Sequence, residues 1–276
     1  MGEVRAWWRL LVSELRLMLG RRRNQLGLLV LAAPPLIMAW VMRETGGPGG
    51  HGESGGLFSL VSSSGLLIPV IALTAEVTMF LPLAIGMLCG DAIAGEAHTG
   101  TLRYVLTVPV SRTRLLLTKF ASLAIGAGIG VLVVAGVGTL AGSLLLGTGP
   151  MLSFSGTELA YPEALGRVAL ASLYVWTGLV ALAAIGLLVS TLTEQPIAVT
   201  VVVVVVTSLM WILGNLPQLD WLHPWLLTHR WLDFTDLLRD PPFWDTLRTG
   251  LLVNAAYGGI ALATAWARFT TKDITS

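Results

Sequence analysis

Few residues in this chain are equipped for chemistry. Among 276 residues there are 16 Asp and Glu, 17 Lys and Arg, four His and one Cys. A phosphate-binding P-loop ends in Gly-Lys-Ser/Thr. The two lysines, Lys119 and Lys272, follow Thr118 and Thr271, so the chain carries no nucleotide site of its own. Gly52-Glu53-Ser54-Gly55-Gly56 matches the Gly-x-Ser-x-Gly pattern by letter. It lies in a glycine-rich run with no strand before it, so the strained turn that exposes a nucleophilic serine is missing. His51, His98, His223 and His229 stand apart from one another at no metal-ligand spacing. Asp233, Asp236 and Asp240 read as a solvated face rather than a cation site. The expectation is no catalytic residue, no metal and no cofactor bound by this chain. One acid remains: Glu76, flanked by Thr74 and Thr78, lies inside a long apolar run. A lone carboxylate there marks a transport pathway, a relay or a buried pair.

The elements that must position Glu76 follow from composition. The chain is 54% hydrophobic and 12% charged, with a mean hydropathy of +0.77. Soluble domains carry roughly 25% charged residues. A bilayer removes the need for a polar surface. The net charge of +1 supplies no basic face for nucleic acid. A lone cysteine, Cys89, excludes an intrachain disulfide. A span needs about 20 apolar residues. Six segments meet that: 26–42, 66–90, 115–146, 168–192, 197–213 and 247–266. The first follows an arginine-rich segment, and no Ala-x-Ala site comes after it, so it reads as a retained helix. Pro34-Pro35, Pro69 and Pro82 lie inside spans and should bend them. Thr193-Glu194-Gln195-Pro196 makes a tight antiparallel turn, and the valines of 201–206 read as lipid-facing helix. The expected fold is all-α, a polytopic membrane protein forming one transmembrane domain.

Counting Lys and Arg on either side sets the orientation. Twelve fall in one set of loops and five in the other, which puts both termini in the cytoplasm and residues 44–65, 147–167 and 215–246 outside. Residues 1–24 read as an amphipathic helix on the cytoplasmic interface, with Trp7, Trp8, Leu11, Leu15 and Met18 set against Arg5, Arg9 and Arg16. Thr45–Gly56 reads as a flexible external loop. Trp221, Trp225, Trp231 and Trp244 among aspartates suggest short external interfacial helices, with Asp240-Pro241 capping the last span. The small-residue spacings Gly126–Gly130 and Gly138–Gly142 predict close helix approach.

Only one sizeable cytoplasmic loop, 91–114, joins two spans, and it would expose Asp91, Glu96, Arg103, Arg112 and Arg114. Its string Asp91-Ala92-Ile93-Ala94-Gly95-Glu96, Gly100-Thr101-Leu102, Pro109-Val110-Ser111-Arg112 and Lys119-Phe120 resembles the hallmark loop of ABC type 2 permeases. The six-span layout and the ending Arg268-Phe269 … Lys272-Asp273-Ile274 extend the resemblance along the chain. The loop is similar to those of permeases for nitrous-oxide-reductase maturation and for antibiotic export. The resemblance implies a coupling helix docked on an ATP-binding cassette ATPase, two ATPase copies carrying ATP and Mg, and a second permease subunit, simplest as a homodimer. It also implies the cell inner membrane and a lipophilic, lipid-like or drug-like substrate. Two other classes compete. An ion-coupled secondary transporter would use Glu76 as its coupling carboxylate, and an intramembrane enzyme is disfavoured because no span contains a histidine.

Overall fold

The computed structural model describes residues 2–45, 64–98, 100 and 111–271, and the side chains of all of these but 2–6 and 45. The Gly52–Gly56 run, most of the Thr45–Gly56 loop, Thr101, Leu102, Arg103, Pro109 and the terminal Lys272-Asp273-Ile274 lie outside the described residues. Helix α1 spans Gly2–Gly20 and α2 Arg22–Thr45. Then come α3 Leu67–Thr78, α4 Phe80–Ala92 and the single turn α5 Ala94–His98. The long helices α6 Arg112–Leu146 and α7 Tyr161–Leu192 follow, then α8 Pro196–Gly214 and α9 Trp244–Thr271. Five of these are long and apolar enough to cross a membrane, and α3 with α4 makes a sixth span if the bent pair crosses once. The protein is an all-α, multi-pass membrane protein. Helices are the spanning form a single chain finds most readily, because each satisfies its own backbone inside hydrocarbon.

Local chemistry explains the helix ends. Ser111 caps α6, its hydroxyl accepting the Arg114 N–H at 3.3 Å. Pro162 and Pro196 occupy the first turns of α7 and α8, where no backbone donor is lost. Pro69 likewise sits in the first turn of α3 and bends nothing, and Pro34-Pro35 stay inside the continuous α2. Pro82 is different. It has no N–H for the carbonyl of Thr78, one turn back, and its ring crowds that carbonyl. Met79 leaves helical geometry with φ −140° and ψ −59°, and the chain turns by 54° there.

Small residues set the packing. A Cβ on Gly138 would lie 2.8 Å from the Pro69 backbone, so α6 meets α3 backbone to backbone, and Gly65 meets Gly142 in the same way. The predicted small-residue face of α6 is thus consumed within the chain. On the other side α8 lies on α4: Thr200 donates to the Gly86 carbonyl at 3.1 Å, and a Cβ on Gly90 would stand 2.5 Å from the Pro196 carbonyl. Val199, Val203 and Thr207 form the buried stripe of α8, while Val201, Val202 and Val205 stay exposed.

Beyond α6 the chain makes a two-stranded ribbon, β1 Met151–Leu152 with β2 Glu158–Leu159, turned at Gly156 with φ +87°. Sequence periodicity did not predict it. The tryptophan-rich segment forms 3₁₀ turns at Pro217–Leu219, His223–Trp225 and Leu227–Leu238. Its aromatic content divides: Trp221 and Trp225 are exposed, whereas Trp231 and Phe234 are buried in the core. Asp240 does not cap the last helix, which begins at Trp244; it pairs instead with Arg167 at 3.2 Å and accepts from Thr157. Asp233 pairs with Arg230 at 3.3 Å and Asp236 with Arg239 at 3.0 Å. Asp233 and Asp236 are thus half-buried in local pairs, while Asp240 stays exposed as it links the segment to α7. Buried Arg167 also donates to the Arg239 carbonyl at 2.6 Å and pairs with Glu163 at 2.6 Å, tying α7 to the 3₁₀ segment.

Candidate functional site

The charged loop root gathers at one end of the bundle. The helix breaks at Arg21 between α1 and α2, and two amides fix that corner. Asn24 donates to the Met18 carbonyl at 2.7 Å and Gln25 to the Leu19 carbonyl at 3.0 Å, serving the orphan carbonyls at the end of α1. The corner presents Arg21 and Arg23 to Asp91 at the end of α4, Arg21 at 2.5 Å. One turn further, Lys119 of α6 reaches across to α1 and α5 at once. Its ammonium lies 2.9 Å from both Glu14 oxygens and also bonds Glu96. The Lys119 side chain is only 3% exposed, so the ammonium has exchanged water for two carboxylates. Burial pushes the Glu96 carboxyl above its usual range, and Lys119 pulls it back.

Two further ties hold the loop root. The Ser190 hydroxyl of α7 accepts the N–H groups of Ile93 and Ala94 at 3.2 and 3.0 Å, capping α5 from a neighbouring helix. Arg112 donates to the Thr270 carbonyl at 3.1 Å, where a cation meets the negative end of α9. Gly100 has φ +70°, a conformation that glycine adopts without strain, and its N–H bonds the Ala97 carbonyl at 3.0 Å. Of the loop residues singled out by sequence, Asp91, Glu96 and Arg112 therefore have partners inside the chain. Each is half-buried, so part of its surface still faces solvent. Glu14 was missed altogether. The signal for it exists: Leu11, Glu14 and Met18 share one face of α1, and a carboxylate among apolar neighbours needs a partner.

Glu76 lies in α3, fully buried, three residues before the break at Met79. Neither carboxyl oxygen has a hydrogen-bond partner among the described residues. The flanking threonines do not serve it. Thr74 donates to the Val70 carbonyl at 2.9 Å and Thr78 to the Ala75 carbonyl at 2.7 Å, both on their own helix. The group expected from sequence thus reduces to Glu76 alone.

Two hollows flank these features. One lies among α1, α2, α4 and α6, beside the arginine corner. The other, of about 550 Å³, is an apolar groove between α6 and α7 lined by Leu132, Gly136, Leu140 and Trp176, with no charged residue in its wall.

Long apolar helices, a buried carboxylate and a loop root tied to α1, α2, α6, α7 and α9 define a polytopic membrane protein. Comparison with known proteins makes this specific. The family model for ABC-2 family transporter proteins matches residues 30–226, and the chain belongs to that family as an ABC-2 type permease. The match takes in Glu76, Asp91, Glu96, Arg112 and Lys119 and leaves out Glu14 and α9. The chain is 34% identical over 112 residues to a probable ABC transporter permease protein, NosY, of Stutzerimonas stutzeri. That alignment covers 40% of this chain and 41% of the relative.

Proposed function

We propose that this chain is the membrane-spanning subunit of an ATP-driven exporter and that residues 91–112 transmit force from a separate ATP-binding cassette ATPase. The observation that carries this reading is the stapled loop root. A push on α5 reaches α1 and α6 through the Glu14–Lys119–Glu96 cluster, α2 through Arg21 and Arg23, α7 through Ser190, and α9 through Arg112. A loop free to flex would dissipate that push. Both termini face the cytoplasm, a placement the distribution of basic residues supports, and the membrane is the cell inner membrane. Two copies of this chain with two ATPase copies complete the machine. ATP and Mg belong to the ATPase. The pathway lies between the permeases, near Glu76, and takes a lipophilic, lipid-like or drug-like substrate. The resemblance of the loop favours one second reading of cargo, a solute for metalloenzyme maturation of the nitrous-oxide-reductase kind.

The test is coexpression with the cognate ATPase. Glu96→Ala and Arg112→Ala should lower copurification of the ATPase or uncouple its hydrolysis from transport by tenfold or more, with the spans still folded. That factor corresponds to losing one charged hydrogen bond of about 1.5–3 kcal/mol. Wild-type assembly and coupling in both variants would remove the loop from the transmission path. Transport into vesicles that lack the ATPase would favour ion coupling through Glu76.

A further inference from the structure

We propose that the slot among α1, α2, α4 and α6 holds an acyl chain of one anionic phospholipid, with the lipid phosphate at Arg22 and Arg23. The lipid comes from the leaflet on which α1 lies, which is the cytoplasmic leaflet under the orientation proposed above. The slot is narrow, about 70 Å³ against about 550 Å³ for the groove between α6 and α7, so it has room for part of one extended chain and nothing broader. Its walls are Met18 and Leu19 of α1, Leu28 and Leu31 of α2, Leu81 and Leu88 of α4, and the glycine edge of α6. Hydrocarbon is the filling that such walls accept, since a dry void forfeits dispersion contacts on every side. Methionine at the entrance adapts to an irregular occupant.

The mouth supplies the sign of charge. Arg23 lines it, Arg22 is its exposed neighbour, and Arg21 completes the triplet. Asp91 answers Arg21 and Arg23 with a single negative charge, so three cations against one anion leave a surplus of two. Arg22 has no ion-pair partner among the described residues. The first turn of α2 contains no acidic residue, so its free N–H groups and the helix dipole add to the same field. Glu14 and Glu96 do not oppose it at the mouth. They line an adjoining hollow and are held by Lys119, with Met18, Asn24 and Leu88 common to both hollows. Basic pockets between spans at the membrane surface bind acidic headgroups. Here the same pocket also offers the tail a slot.

The experiment is native mass spectrometry of the full chain released from nanodiscs made of dioleoylphosphatidylglycerol and dioleoylphosphatidylcholine in equal parts. The wild type should retain one phosphatidylglycerol with at least a fivefold preference. Arg22→Gln should lower that preference about fivefold, the effect of one arginine near an anionic surface. Gly27→Leu fills the slot from α2, where an added Cβ meets nothing within 4 Å, and should abolish retention. Gly136→Leu, at a glycine equally open but far from the slot, should retain lipid as the wild type does. Equal retention of both lipids by the wild type, or undiminished retention in Gly27→Leu, overturns the proposal. So does displacement by millimolar glycerol 3-phosphate, which would mark a site for a soluble phosphate. Because both nanodisc leaflets have the same composition, the outcome is independent of orientation. Labelling of Gly20→Cys in sealed vesicles reports orientation separately.

Discussion

Lys119 is the residue on which most of the loop end depends. A buried cation between two carboxylates is weak evidence for net stability, but removing it leaves Glu14 and Glu96 facing each other without compensation. Lys119→Met should cost about 3 kcal/mol in reversible unfolding in detergent, and adding Glu96→Gln should recover part of that loss. Equal stabilities for the single and double variants would show that the carboxylates are not coupled through Lys119. The Arg21–Asp91 pair is worth less, at most about 1 kcal/mol, because the Arg21 side chain is 48% exposed. Glu76 invites a different experiment. Glu76→Gln keeps its volume and removes its capacity to ionise, so insertion and expression should be unchanged while substrate-stimulated transport alters. Unchanged transport would make Glu76 a packing residue. Sequence could mark Glu76 because its apolar surroundings are local. It could not pair Lys119 with Glu14, because 105 residues separate them and no periodicity spans that gap. The Asp240–Arg167 link was hidden for the same reason, since 73 residues separate the two.

At the scale of elements, the span containing Glu76 is the unusual one. Its length and hydropathy were plain in the sequence, and so was a proline-induced bend. Pro69 and Pro82 look alike to a sequence reader. Each is the third residue of its helix, but α4 follows α3 across the single residue Met79, so Pro82 alone withholds a donor from a preceding helical carbonyl, that of Thr78, and crowds it. Pro82→Ala returns a donor to the Thr78 carbonyl. Spin labels at Ile71 and Met87 would be about 24 Å apart on a straight helix, at 1.5 Å per residue. The 54° bend shortens this by about 3 Å, so the variant should lengthen the measured distance by that amount. An unchanged distance would assign the bend to packing by α6 and α8 instead. The short helices of 215–246 were expected from its tryptophans, whereas the ribbon β1–β2 escaped sequence reading because strands of two residues carry no period and the turn between them is tied to a partner distant in the chain. The Phe154 N–H, for example, bonds the Leu238 carbonyl at 3.0 Å.

For the molecule as a whole, the reading requires one orientation and two copies. Gly20→Cys should react with a membrane-impermeant maleimide only from the cytoplasmic side, and Glu158→Cys only from outside. Labels in the reverse pattern would invert the model. A purified transporter should contain two chains of 29.3 kDa for every two ATPase subunits. A single permease copy in an active complex would refute the dimer.

The salt link between Glu14 and Lys119 also has a consequence in time. A ribosome adds about 5–20 residues per second, so the lysine follows its carboxylate partner by about 5–20 s. During that interval α1 has left the ribosome, yet the helix that anchors it does not exist. The N-terminal helix must wait on the membrane surface, an unmoored amphipathic segment, until the third span is inserted. A nascent chain arrested before residue 119 should therefore expose α1 to protease, and one arrested well after it should not. The closing of this corner is thus a late checkpoint of biogenesis, one that a truncated or stalled chain cannot pass.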